Sequence, residues 1–189
     1  MLVLASASPR RQELLCNAGI DFTVQVSNIP EHLLPNEAPK VYAERLAREK
    51  ASVVFQEHPE KFVLGADTIV MVRNGVLGKP KDSAEAVLML QSLSGKSHHV
   101  VTGVCLMGPG FIDIRSDITT VEMQKISAKE IQAYVATGEP MDKAGAYAIQ
   151  GRASRWISKI EGDYFNVVGL PVWLVYRMLV EHGALKAQS

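Results

Sequence analysis

The sequence predicts an α/β protein with a mixed sheet and helices packed around it. Two apolar runs, residues 2–5 and 62–72, have the length and composition of buried strands. Stretches of helical period lie between and after such runs. Two hairpin signals, Asn74-Gly75 and Gly108-Pro109-Gly110, require antiparallel neighbours beside the parallel ones.

Taken in order, residues 2–5 read as a short strand. Residues 8–18 read as a helix, with Ser8 as N-cap, Pro9 at the first helical position and Gly19 past its end. Residues 22–26 alternate like a strand, and residues 39–56 form a long helix. Residues 62–72 form a central strand broken by one carboxylate. The Asn-Gly turn joins it to a short strand near Val76 and Leu77. Asp82 caps a helix running to Leu93, with Glu85 three residues on. Residues 98–107 and 111–124 pair as strands. A capping box, Ser127 with Glu130, starts a helix over residues 127–136. Residues 137–154 are irregular, residues 155–160 form a strand, and residues 168–182 form the last helix, with Pro171 in its first turn.

Composition narrows the function. The chain has 189 residues, 47% of them hydrophobic and 21% charged, which suffices for a core. Lys plus Arg is 20 and Asp plus Glu is 20, so the basic excess of a nucleic-acid binder is missing. No apolar run approaches the roughly 18 residues of a spanning helix. The start lacks a basic n-region, so no signal peptide is expected. Cys16 and Cys105 make neither a disulfide framework nor a metal knuckle, which points to a reducing cytoplasm.

Four constellations carry chemistry. Ser6-Ala7-Ser8-Pro9-Arg10-Arg11 feeds a strand into a helix start, where free amides attract anions and guanidiniums grip phosphate. The plain alternative is an N-cap with two solvated arginines. On a wheel over the long helix, Tyr42, Val53, Leu46, Ala43, Val54 and Ala47 span an arc of roughly 140°. Lys50 falls near its middle, where a lysine either snorkels or meets an anion. Gly65-Ala66-Asp67-Thr68 puts a carboxylate in an apolar strand, costly unless it is paired or bound to a metal. Lys79 of Gly78-Lys79-Pro80 can fold back towards Asp67. These groups suit either a metal–polyphosphate site or a structural Asp–Lys pair. The residues from Asp142 to Gly151 place Gln150 between small residues, either at a ligand or in a glycine-rich loop.

Other signals carry less. Ser94-Gly95-Lys96-Ser97 ends like a P-loop, but Leu90 stands where its first glycine belongs. His98 and His99 point to opposite faces of a strand, and Cys16 and the Trp173, Tyr176, Leu179 stripe read as packing.

Together these residues resemble the Maf family of nucleoside triphosphate pyrophosphatases. The resemblance covers nearly the whole chain as one domain, residues 1–189. It runs in order through the Leu4 to Arg11 segment, Leu46-Ala47-Arg48-Glu49-Lys50-Ala51, Gly65-Ala66-Asp67-Thr68, Gly78-Lys79-Pro80, Ser94-Gly95-Lys96, Gly138-Glu139-Pro140, the Asp142 to Gly151 segment and Asn166-Val167-Val168-Gly169-Leu170-Pro171. It implies an elongated mixed sheet, two lobes around a cleft, and commonly a homodimer. It implies hydrolysis of a nucleoside triphosphate to monophosphate and pyrophosphate with Mg2+ or Mn2+. The Asp-Lys-Ala-Gly-x-Tyr-x-Ile-Gln-Gly segment resembles the branch that prefers dTTP and UTP. The resemblance makes Asp67 the proton acceptor, with Lys50 and Lys79 as catalytic cations. Ser6, Ser8, Arg10, Arg11, Thr68 and Gln150 become substrate residues, of which Arg10, Thr68 and Gln150 govern substrate choice. Glu31, with Asp67, becomes a metal ligand; the family's acidic pair is here reduced to Glu31 after Pro30. A nucleotide-binding regulator of septum formation, with little catalysis, is the alternative.

Overall fold

The computed structural model describes residues 1–73 and 75–186. In chain order the elements are β1 (Leu2–Leu4), α1 (Pro9–Asn17), β2 (Phe22–Val24), α2 (Pro39–Glu57), β3 (Phe62–Val72), β4 (Gly75–Leu77), α3 (Ser83–Leu93), β5 (Ser97–Gly108), β6 (Phe111–Met123), α4 (Ala128–Val135), β7 (Ile157–Glu161), α5 (Tyr164–Val168) and α6 (Val172–Glu181). Short 3-10 turns fill the stretch between α4 and β7.

The expected mixed sheet is present. Among the described residues its order is β2-β1-β3-β5-β6-β7, with β4 on β3. β1 runs parallel to both β2 and β3, with Leu2 opposite Phe22 on one side and Phe62 on the other. α1 and α2 provide the crossovers that parallel neighbours require. β4 folds back antiparallel on β3, Val72 opposite Gly75, as the hairpin signal predicts. Asn74 lies outside the described residues. β7 pairs antiparallel with β6, with an irregularity between Glu122 and Met123.

The chain forms two compact units. The first is Met1–Thr68, Thr102–Asp117 and Gly169–Ser189; the second is Ile69–Val101 and Ile118–Val168. The first has a core of Val3, Ala47, Ala51, Val54, Val63 and Met107. The second packs α3 and α4 over Leu90, Leu93, Val100, Val121, Ile131 and Trp156. The caps of these two helices form as expected. The Asp82 side chain accepts from the Glu85 N–H, and Ser127 and Glu130 complete a capping box.

Several local expectations are corrected. Residues 168–182 are not one helix: α5 ends at Val168, Gly169 adopts φ 134, and α6 starts only after Pro171. A φ of that sign cannot continue a right-handed helix. β7 starts at Ile157, because Arg155 and Trp156 finish a 3-10 turn. Cys16 is exposed, since α1 buries Arg11, Leu14 and Leu15 and Cys16 lies a further 100° around. On α6 the buried stripe is Val175, Met178 and Leu179, which leaves Trp173 and Tyr176 outside. Val53 is 39% exposed. The buried line on α2 starts at Tyr42 and has wound round to Ala47, Ala51 and Val54 by the helix end, leaving Val53 off it.

Candidate functional site

α2 lies directly against β3 because position 65 carries no side chain. A Cβ on Gly65 would fall 2.2 Å from the Ala47 carbonyl oxygen and 2.8 Å from the Ala51 nitrogen. This close approach brings Lys50, one turn along α2, to Asp67, two residues along β3. Lys50 Nζ donates to Asp67 Oδ1 at 2.6 Å and pairs with Glu31 Oε1 at the same 2.6 Å. Lys50 and Asp67 are both buried; Glu31, on the segment before α2, is 42% exposed at its side chain.

The partner of Asp67 is therefore Lys50, and the lysine does not snorkel. Its ammonium lies between two carboxylates instead of reaching water. Burial pushes the Asp67 carboxyl above its ordinary value, against the pull of Lys50 and then Arg11. A buried carboxyl raised in this way suits proton transfer.

The helix start is built by a second network. Ser6, nearly buried, accepts through Oγ from the Ser8 N–H at 3.2 Å and from Arg11 Nη1 at 3.1 Å. Ser8 occupies the N-cap position as expected, but its side chain makes no capping bond. Arg11 is buried, not solvated. Its Nε donates to the Gly169 carbonyl at 2.8 Å and its Nη2 to Thr68 Oγ1 at 3.0 Å. Thr68 Oγ1 also donates to the Gly169 carbonyl at 3.2 Å and meets Thr102 Oγ1 at 3.0 Å. Gly169, at φ 134, turns its carbonyl towards both partners in a conformation other residues rarely adopt. Arg11 thus ties the helix start to β3 next to Asp67. Burial lowers its pKa, while Asp67 and Glu31 counter that shift.

The first unit therefore contains Ser6, Ser8, Arg10, Arg11, Glu31, Lys50, Asp67 and Thr68. Lys79 and Gln150 belong to the second unit, and both are exposed. Their two segments touch, because the Gly145 N–H donates to the Gly78 carbonyl at 3.0 Å. Protein side chains take up the space beside the glycines flanking Gln150: a Cβ on Gly145 would meet Val70, and one on Gly151 would meet Glu139. Glu139 Oε1 accepts from the Arg152 N–H and the Tyr134 hydroxyl, both at 3.0 Å, and braces this segment.

Three participants had no legible sequence signal. Thr102 and the Gly169 carbonyl reach Thr68 only through tertiary contact. Arg45 reads as part of the solvated side of α2, yet it binds Glu37 and the His32 carbonyl. A guanidinium and a carboxylate eight residues apart across a helix start leave no periodic trace.

The donor set suits a divalent cation shared with substrate. Among the described residues no group of three or more His, Cys, Asp and Glu converges as a closed metal cage. Glu31 and Asp67 do converge on one cation, the Lys50 ammonium. Two carboxylates with phosphate oxygens to complete the shell are the usual setting for Mg2+. None of the described helices is long and apolar enough to cross a membrane.

Known proteins match this chain along its length. The family described as Maf-like protein matches residues 1–182. A protein from Koribacter versatilis named dTTP/UTP pyrophosphatase is 54% identical over 184 residues, covering 97% of this chain and 95% of the relative. A protein of the same name from Symbiobacterium thermophilum is 52% identical, with 96% and 94% covered. One from Aquifex aeolicus, again of that name, is 43% identical, with 95% and 94% covered.

Proposed function

This chain belongs to the Maf family, and from that membership and its site geometry we propose that it hydrolyses nucleoside triphosphates, dTTP and UTP above others, to the monophosphate and pyrophosphate. Relatives of that name at about half identity over nearly the full length support the substrate class. The observation that carries the chemistry is the buried Lys50 bridging Asp67 and Glu31.

Asp67 accepts a proton from water as its oxygen attacks the α-phosphorus. The bond from that phosphorus to the bridging oxygen breaks, and pyrophosphate leaves with the bond's electrons. Burial raises the proton affinity of Asp67, and Lys50 orients the carboxylate through Oδ1. Lys50 and Lys79 offset the negative charge of the phosphates. Glu31 and Asp67 would hold Mg2+ or Mn2+, which would supply charge neutralisation to the phosphates.

Ser6, Ser8, Arg10 and Arg11 form the phosphate-facing helix start, Arg11 by fixing its geometry from inside. Thr68 and Gln150, with Arg10, select the base. A Gln amide offers one donor and one acceptor, which answers the 4-oxo group and ring N–H of thymine and uracil; cytosine reverses that pattern. The reading extends to residues 1–189 as one working domain, a cytoplasmic location and a homodimer. The last is supported by Trp173 and Tyr176, exposed one turn apart on α6; light scattering in solution measures it.

The test is pyrophosphate release, coupled to an inorganic pyrophosphatase, across dTTP, UTP, CTP, ATP, GTP and 7-methyl-GTP, where turnover should be greatest with dTTP and UTP. Without the coupling enzyme, direct chromatography of the nucleoside monophosphate should show turnover abolished by EDTA. A purine preference, or full turnover in EDTA, refutes the respective part.

A further inference from the structure

Glu31 lies on a segment that lacks apolar anchorage. Residues 30–36 are all exposed, Leu33 and Leu34 by about half, and Asn36 takes φ 60. Such a stretch buries too little to offset the entropy of ordering it. It is nevertheless held, and Arg45 of α2 holds it.

Arg45 uses all three guanidinium nitrogens. Nε donates to Glu37 Oε1 at 2.6 Å and Nη2 to Glu37 Oε2 at 2.8 Å, a bidentate fork. Nη2 also donates to the His32 carbonyl at 2.8 Å, and Nη1 to Glu49 Oε1 at 3.0 Å. Glu37 Oε2 in turn accepts the Leu34 N–H at 3.1 Å. The Arg45 and Glu37 side chains are only 17% and 6% exposed, so water competes weakly for them. His32 directly follows Glu31, whose carboxylate meets Lys50 at 2.6 Å. The fastening point is thus one residue from the carboxylate that matters.

We infer that Arg45, through Glu37 and the His32 carbonyl, is a positioning residue that presents Glu31 to the divalent cation and sets cation affinity without touching cation or nucleotide. This rests on Glu31 being a cation ligand, as proposed above. Glu37 is on this account a fastening for the strap and not a second ligand.

The test compares Mn2+ titrations of turnover for the wild type, Glu31→Gln, Arg45→Gln, Arg45→Lys and Glu37→Gln. Outer partners of a metal ligand typically change affinity by about 10–100-fold. Arg45→Gln and Glu37→Gln should each raise half-saturating Mn2+ by about tenfold or more, with kcat at saturating metal largely retained. Arg45→Lys should not rescue, because a point charge cannot replace the fork. In the protein without metal or nucleotide, hydrogen exchange at residues 31–37 should rise in both Gln variants while α2 stays protected. If Arg45→Gln does not fold, Glu37→Gln, which leaves α2 intact, decides. A lowered Tm with unchanged half-saturation would mean a merely structural clasp and overturn the inference. Glu31→Gln with unchanged half-saturation would instead refute Glu31 as ligand. A shift in Glu31→Gln but none in Glu37→Gln leaves that reading standing and refutes this inference alone.

Discussion

At the scale of single residues, the proposed chemistry rests on a lysine between two carboxylates. Asp67→Asn keeps the shape and removes the proposed base; kcat should fall by about 10²–10⁴ in a folded protein. Near wild-type turnover would exclude Asp67 as base and as ligand. The wild-type kcat/KM should fall as pH drops through the Asp67 pKa, because the base must be ionised. Without metal, burial raises Asp67 more than its cationic neighbours lower it; a divalent cation on the carboxylate would draw the limb down, so the limb should move to lower pH as metal is added. Lys50→Met offers a sharper test. A snorkelling lysine could be replaced at no cost in stability. Here the substitution strands Asp67 in a buried site, a loss of about 3–5 kcal/mol when one partner of a buried pair is removed. Adding Asp67→Asn should recover much of that loss in urea denaturation. A Lys50→Met protein as stable as the wild type would count against the pair.

At the scale of elements, the site depends on where α2 touches the sheet. Gly65→Ala puts a methyl 2.2 Å from a helix carbonyl, so α2 must shift away from β3. Overpacking of this kind costs about 1–3 kcal/mol. It should also weaken turnover by separating Lys50 from Asp67, measurable as a lower Tm together with a lower kcat. In the second unit, β5 is tied to the Gln150 segment by His98 Nε2 and the Tyr147 hydroxyl at 2.7 Å. His98 is buried, and burial lowers its pKa from 6.5 to about 4. The unfolded chain therefore binds the proton first. Above pH 6.5 this group contributes no pH dependence; as pH falls from there to about 4, folding loses up to about 3 kcal/mol. His98→Gln cannot titrate, so its stability should depend less steeply on pH over that window. An unchanged slope would assign the acid sensitivity elsewhere.

At the scale of the whole molecule, the decisive observable is selectivity. Leaving a base edge mismatched costs about 1–3 kcal/mol, or roughly tenfold to a hundredfold, so dTTP and UTP should exceed CTP in kcat/KM by that factor. Gln150→Glu removes the donor end and should lower dTTP and UTP turnover more than that of CTP; equal losses would remove Gln150 from base selection. Much of this molecule is legible in its local sequence patterns. Residues 62–72 and the helices led by Asp82 and Ser127 were readable because periodicity and caps act within a few residues. The carboxylate in β3 and the lysine on the apolar face of α2 stood out because each breaks a local hydrophobic pattern. Their pairing did not, nor did Arg11 turning inward to Thr68 and the Gly169 carbonyl. The buried stripes of α1 and α6 also differ from what spacing suggests, because several faces of a short helix are apolar enough and only the opposing surface selects one. Which residues are costly to bury, and where the helices led by Asp82 and Ser127 start, follow from the sequence alone. Tertiary structure alone decided what repays that cost, because a buried ion pair forms between residues that meet only after a helix has packed against a bare glycine.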